Sequence, residues 1–295
     1  MSQLNIDEFE IRVEFERGVG DPTRIFKSMT ELIQSTQRLN QHLALSIGVE
    51  IQTSLVLQDI EAASLKAILR TILTNISDDA LRTGEPKKVF GQFLVLGKHK
   101  ILDWCNERNV ITDRSEVTQL QGEILELAEA TQINAIPAYT PINIETLLED
   151  IKSIRQATSE LGQNDLATFT SYNRTSTYNS KLEISEHAIR DLLTERTSVT
   201  EHVRILKVKK PDYLENSKWE FKLLEHGIGA KILDKGWLGK FQSTVVRLNP
   251  GDSLEVLLRQ VTSFGYNRKP IHTDYEVLKV HNILPGDSRK QADLI

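Results

Sequence analysis

From Val199 to Val280 the chain changes its period. Short runs carry apolar residues on alternate positions: Val203–Lys209, Lys218–Leu224, Ile228–Ile232, Thr244–Leu248, Ser253–Val261 and His272–Val280. Turn-forming stretches separate them: Pro211-Asp212, His226-Gly227, Asn249-Pro250-Gly251-Asp252 and Gly265-Tyr266-Asn267. Successive side chains of a strand point to opposite faces, so this alternation marks half-buried strands. Five or six short strands at this spacing predict a small β-barrel or a strongly bent sheet. We place this domain at 199–284, with 285–295 as a polar tail.

The beginning of the chain reads differently. Phe9, Ile11, Val13 and Phe15 alternate with charged residues and predict a strand. Gly18-Val19-Gly20 breaks it, Asp21 is a helix-capping residue, and Pro22 suits a first turn. Ile25, Phe26, Met29, Leu32, Ile33, Leu39 and Leu43 then recur at helical spacing, up to Gly48. A second strand is predicted over Val49–Gln58. A second helix is read from Leu65, Ile68, Leu69, Ile72, Leu73 and Ile76. The opening is therefore β-α-β-α. Two strands make a poor sheet, so they are expected to pair with each other and to dimerise or dock on a partner.

Pro86 to Ala130 reads as helical. Thr131–Pro141, with two prolines and no helical period, is the expected domain boundary. The first domain is placed at 1–135. A helical connector at 136–198 follows, with a helix over Ile144–Leu161, a Ser/Thr-rich loop at 168–180 and a short helix from Ser185 to Thr194. The fold class expected is α+β: an N-terminal α+β domain and a small antiparallel barrel.

Composition narrows the chemistry. The chain has 295 residues, 39% hydrophobic and 26% charged, enough for a buried core without staples. The single cysteine, Cys105, excludes an internal disulfide and a four-thiolate zinc site. The longest uninterrupted apolar run, Phe93–Leu96, is far too short to span a bilayer. The polar, acidic N-terminus resembles no targeting peptide, and a cytoplasmic protein is expected. The net charge of −5 is uneven: residues 101–150 carry −8 and residues 201–295 carry +4. Glu123, Glu126 and Glu129 belong to the acidic block. Such blocks are either solvated faces or surfaces for partners of opposite charge.

Three groups of residues bear on function. Gly18-Val19-Gly20 lies where phosphate-binding turns occur, but Asp21 and Pro22 place a negative charge and a missing N–H there, so a capped turn is expected. Pro211-Asp212, followed by Glu220-Phe221-Lys222, matches the proline–aspartate, acid-x-lysine signature of a large nuclease superfamily. In that reading Asp212 and Glu220 hold Mg²⁺ and Lys222 lies near the attacking water. The alternative is a hairpin strand with Trp219 and Phe221 in the core. Third, a nucleic-acid surface is predicted from Arg204, Lys207, Lys209, Lys210, Arg268 and Lys269, with aromatics that include Tyr213, Trp237, Phe264, Tyr266 and Tyr275. Against that, Trp237 and Phe241 suit a short amphipathic helix plugging the barrel. His42 and His99 fall on helices and are read as rim residues. Cys105, beside Trp104, is read as a buried filler.

The run Trp219-x-Phe221, then Ile228-Gly229-Ala230-Lys231-Ile232-Leu233-Asp234, Gly251-Asp252-Ser253-Leu254-Glu255-Val256-Leu257-Leu258 and Tyr275-Glu276-Val277-Leu278-Lys279-Val280 resembles a module ending many uncharacterised bacterial proteins. Some of these accompany mobile elements and anti-phage defence genes. The resemblance covers roughly the last ninety residues and brings no catalytic residue with it. It implies a scaffold and a context. The expected function is a non-enzymatic binding protein without a cofactor, an accessory or sensor component of bacterial anti-phage defence, acting through protein or nucleic-acid contacts. A Mg²⁺-dependent nuclease is the alternative.

Overall fold

The computed structural model describes residues 8–47, 52–61, 64–74, 86–130, 139–172, 174–212 and 217–286. The chain divides into two compact units, Met1–Leu192 and Leu193–Ile295. The connector expected at 136–198 is thus shared between them, and most of the boundary expected at 131–141 lies outside the described residues.

Unit one contains β1 (Glu8–Glu14), α1 (Thr23–Ile47), β2 (Gln52–Glu61), β3 (Leu65–Thr74), α2 (Pro86–Asn106), α3 (Arg114–Glu129), α4 (Ile144–Ala157), β4 (Leu166–Ser171) and β5 (Arg174–Thr177), and then α5 (Glu186–Leu193). Its sheet has the order β2-β3-β1-β4-β5, every pair antiparallel. Phe9, Ile11 and Val13 of β1 are fully buried on the helix-facing side, while Glu8, Glu10, Arg12 and Glu14 line the other. The buried stripe of α1, with Leu32, Leu39 and Leu43, completes this core, and α1 packs on α4 and α2. At the β1–α1 turn, Gly18 and Gly20 take φ of 78° and 71°, a region open to glycine. Asp21 Oδ1 accepts the Thr23 N–H at 2.8 Å, so the turn is the capped one expected.

Three expectations fail here. Leu65–Ile76 is not a helix: it is β3 as far as Thr74, and Ile76 lies outside the described residues. It buries Ala67 and Leu69 on one face and Ile68 on the other. The predicted β1–β2 pairing is replaced by β3 lying between the two. The Ser/Thr-rich loop is instead the β4–β5 hairpin, whose inward residues Ala167, Phe169 and Ser171 continue the β1 core.

Unit two contains β6 (Thr194–Lys210), β7 (Trp219–Leu223), β8 (His226–Ile232), α6 (Lys235–Gln242), β9 (Ser253–Gly265) and β10 (Pro270–Leu284). The five strands close a barrel in the order β10-β8-β7-β6-β9. Every contact is antiparallel except the short parallel pairing of Tyr275–Val277 with Ala230–Ile232. The connectivity is crossed: the last strand, β10, closes the barrel between β8 and β9. Thr244–Leu248, predicted as a strand, forms no strand, but Val246 and Leu248 still pack on the barrel core. The interior holds Leu206, Trp219, Phe221, Leu254, Val256 and Val277. The α6 helix brings Phe241 and Trp237 against Trp219, with ring centroids 4.9 Å and 5.9 Å away. Asp234 caps this helix by accepting the Trp237 N–H at 3.0 Å.

β6, β9 and β10 are longer than the barrel. β9 pairs with β6 from Gly265 to Ser253 and with β10 along its whole length. The three strands therefore run past the barrel as an arm that ends in the turn 266–269.

Candidate nucleic-acid interface

Strand alternation decides which side chains meet solvent on the barrel. Trp219 and Phe221 are 2% and 0% exposed, so Glu220 and Lys222 of β7 point outward. On β8, Ala230 and Ile232 point inward, which turns Gly227, Gly229 and Lys231 outward. On β6, Lys207 stands directly across from Lys222, and Lys210 across from Glu220. A bulge between Val208 and Lys210 adds Lys209 to the same edge. A Cβ added at Gly227 would lie 3.9 Å from Lys209 Nζ, and one at Gly229 would lie 3.7 Å from the stem of Lys218. The outer face of β6, β7 and β8 is thus a patch of lysines around bare backbone, with one carboxylate, Glu220, in the row between Lys210 and Gly229.

Two of these lysines have acidic partners. Lys222 Nζ is 2.9 Å from Glu225, whose carboxyl this contact holds below its ordinary range, and Lys218 Nζ is 2.8 Å from Asp274. Lys207, Lys209, Lys210 and Lys231 make no ion pair with any described residue. A Lys207–Lys222 pair directly opposed on a sheet surface destabilises the fold by roughly 0.2–1 kcal/mol relative to neutral neighbours. Nothing in the barrel's packing calls for it.

The structure does not gather the six predicted nucleic-acid residues in one place. Lys207, Lys209 and Lys210 share the barrel edge. Arg204 is exposed on the opposite face of β6, the face whose neighbour Val256 lines the interior. Arg268 and Lys269 lie in the turn at the far end of the arm. At about 3.4 Å per residue, the β6 ladder from Lys207 to Thr194 puts that turn roughly 40 Å from the lysine patch. Of the aromatics, Trp237 plugs the barrel and Tyr213 lies outside the described residues. Phe264 lies under Arg196, 4.5 Å from ring centroid to guanidinium, and Tyr266 is 53% exposed at the tip.

The nuclease-like residues are arranged otherwise than that signature implies. Asp212 accepts a hydrogen bond from Ser217 Oγ in the loop after β6. Glu220 faces Lys210, and the Lys222 ammonium is held by Glu225. The strand after Lys222 leads into β8, where the superfamily places a helix. Among the described residues no three His, Cys, Asp or Glu side chains group as metal ligands.

Unit one holds polar groups that sequence patterning missed. Lys98 of α2 is 1% exposed, its Nζ 2.7 Å from Asn40 Oδ1 and 4.2 Å from the centre of the Phe9 ring. Burial pulls its pKa down to about 7. His99 is no rim residue. It is fully buried, with Ser176 Oγ 2.7 Å from Nδ1 and Ser171 Oγ 2.9 Å from Nε2, and desolvation lowers it to about 4. Both are hidden in the sequence because a lysine and a histidine on a helix that also carries Lys100 and Asp103 read as part of its solvent face. Cys105 is buried as expected, its thiol pushed up to about 12 by desolvation. In the acidic block, Glu123 is held by Lys100 at 2.6 Å, with Gln119 donating to it at 2.9 Å. No helix among the described residues is long and apolar enough to cross a membrane. No protein-family model, no curated protein and no solved structure matches the chain.

Proposed function

We propose that this chain is a binding protein whose barrel holds single-stranded nucleic acid on the outer face of β6, β7 and β8. The observation that carries the reading is Lys207 directly opposite Lys222, with Lys209 and Lys210 on the same edge, and Gly227, Gly229 and Lys231 outward on the neighbouring β8. A polyanion backbone turns that repulsion into attraction, and the two glycines let it come close to the strand. The fold-level likeness to OB barrels, whose second and third strands present such a face, supports it by analogy. A place in bacterial anti-phage defence is proposed on the resemblance of the last ninety residues.

Lys207→Glu separates binding from folding. It places opposite charges across the β6–β7 ladder, so the melting temperature is expected to hold or rise slightly. Affinity for a single-stranded oligonucleotide, followed by fluorescence anisotropy, is expected to fall at least tenfold. Replacing Lys207, Lys222 and Lys231 by alanine together should lower the slope of log affinity against log salt by about 2, at about 0.7 per phosphate contact on a single strand. Equal affinity for the variants and the parent would defeat the proposal.

A protein partner is a second reading, favoured by the β2 edge of unit one. Val56, Leu57 and Ile60 are 37%, 49% and 57% exposed on a strand that pairs on one side with β3. Edges of this kind pair with further strands unless they are blunted. We propose a second copy of the chain as the occupant, giving a homodimer through the N-terminal unit. Sedimentation equilibrium is expected to show a dimer that Ile60→Lys weakens. A monomer at all concentrations would remove this reading.

A further inference from the structure

The β2 edge of unit one carries its own stopper. β2 stands at the end of the sheet order, and among the described strands it pairs only with β3. Such an edge presents backbone N–H and C=O groups at every second residue, spaced for a further strand. At Thr53 that place is taken: Gln37 of α1 donates from Nε2 to the Thr53 carbonyl. A side-chain amide there stands in for the backbone amide of a neighbouring strand. The fit is incomplete. Gln37 Oε1 and the Thr53 hydroxyl are both buried, and neither has a hydrogen-bond partner. A buried acceptor without a donor costs free energy, so this pair of groups gains when Gln37 lets go.

Beside the stopper, α1 and β2 leave an open groove of about 630 Å³. Ile33 and Leu55 line its apolar part, and Leu57 and Ile60, opposite the buried Leu69 and Ala67 of β3, continue that face along the strand. The helix wall is a flank of three glutamines, Gln34, Gln37 and Gln41. A two-fold interface sets each patch against its own copy, so a flank of like charges would repel itself. Glutamine both donates and accepts, so this flank suits its copy. The one charged residue lining the groove, Arg38, is turned to Ser153 Oγ on α4.

Resting on the homodimer reading above, we propose that Gln37 is a latch on that interface. In the single chain it holds the Thr53 carbonyl. In the pair, β2 of the second copy supplies the backbone N–H, its Leu55 and Leu57 side chains enter the groove, and Gln37 turns to the glutamines opposite. The need to open one latch in each chain keeps the edge from pairing at low concentration.

The test is sedimentation equilibrium on the full chain, comparing the parent, Gln37→Ala, Ile60→Lys and the double variant. Gln37→Ala removes two latches per dimer and is expected to tighten it about tenfold, at roughly threefold per neutral hydrogen bond. The melting temperature of the dilute chain should not rise, so the gain cannot come from a sturdier protomer. Damage to the packing of α1 would weaken the dimer instead. Adding Ile60→Lys to Gln37→Ala should cancel the gain. An unchanged or weaker dimer in Gln37→Ala, with Ile60→Lys still weakening the parent, would overturn the latch and leave the homodimer standing. A monomeric parent with a dimeric Gln37→Ala would support the latch and remove the homodimer reading for the parent chain. Monomers throughout would overturn both.

Discussion

Phe221→Ala is expected to destabilise the barrel by about 3–5 kcal/mol, and Trp219→Ala by a similar amount. Both side chains are essentially without solvent contact, and their rings stack at 6.0 Å. Trp219 also supports the two rings that α6 inserts. Emptying either site leaves a cavity in a small domain with little else to rearrange around it. Glu220→Ala, on the outward side of the same strand, is expected to change stability by no more than about 0.5 kcal/mol. Denaturant titration followed by tryptophan fluorescence reads both. The contrast also tests the nuclease alternative. Metal-dependent cleavage of nucleic acid by the parent protein, lost in Glu220→Ala at unchanged stability, would restore it.

Lys98→Met is expected to stabilise unit one at neutral pH and to flatten its pH dependence. Lysine in the unfolded chain titrates near its ordinary 10.5, and in the folded unit near about 7. Between these values the unfolded state binds the extra proton, so stability rises with pH across that window. Below pH 7 both states carry the charge and the burial penalty is felt in full. The whole displacement corresponds to at most about 5 kcal/mol. Methionine keeps the volume and removes the charge, but leaves Asn40 Oδ1 without its Lys98 donor, a loss of about 1–3 kcal/mol. A net gain of about 2 kcal/mol at pH 7 should remain, shrinking toward pH 10. His99, Asp103 and Arg174 lie along the same helix–sheet boundary, but burial alone accounts for the Lys98 displacement. Denaturant titrations at pH 6, 8 and 10 check this. An unchanged pH slope in Lys98→Met would show that the ammonium is better solvated than its burial implies.

The strands that were legible have one face in a core and one in water. Phe9, Ile11 and Val13 announce β1, and Trp219 and Phe221 announce β7, because their neighbours in sequence are charged. β3 has the spacing of a helix because it lies between two strands and buries residues on both faces. Ala67, Ile68 and Leu69 are consecutive and all below 8% exposed, which erases the alternation. β4 and β5 resemble a loop in sequence because their inward positions Ser171 and Ser176 serve His99 with hydroxyls where a core would show carbon. The first half of β6, Thr194 to His202, escaped for the opposite reason: on the arm neither face is covered, so no apolar period exists to find. The site was partly legible. The basic residues could be named, but which of them share a face depends on the bulge at Lys209 and on a register visible only once β9 is paired.

The place of β4 beside β1 has a consequence for synthesis. Glu10 pairs with Thr170, and Asp165 accepts the backbone N–H of Glu16 and binds Arg24. β1 is therefore flanked on one side by nearly the last strand of its unit. At about 5–20 residues per second, it waits roughly 8–30 s for that neighbour to leave the ribosome. Until then Phe9, Ile11 and Val13 have an open backbone edge beside them. Nascent chains stalled before Leu166 should remain protease-sensitive near residue 10, and chains released beyond Thr177 should become resistant together with α1. The barrel has no such delay. Its strands come from one stretch of about ninety residues, so it can close soon after β10 emerges, whatever state the first unit has reached.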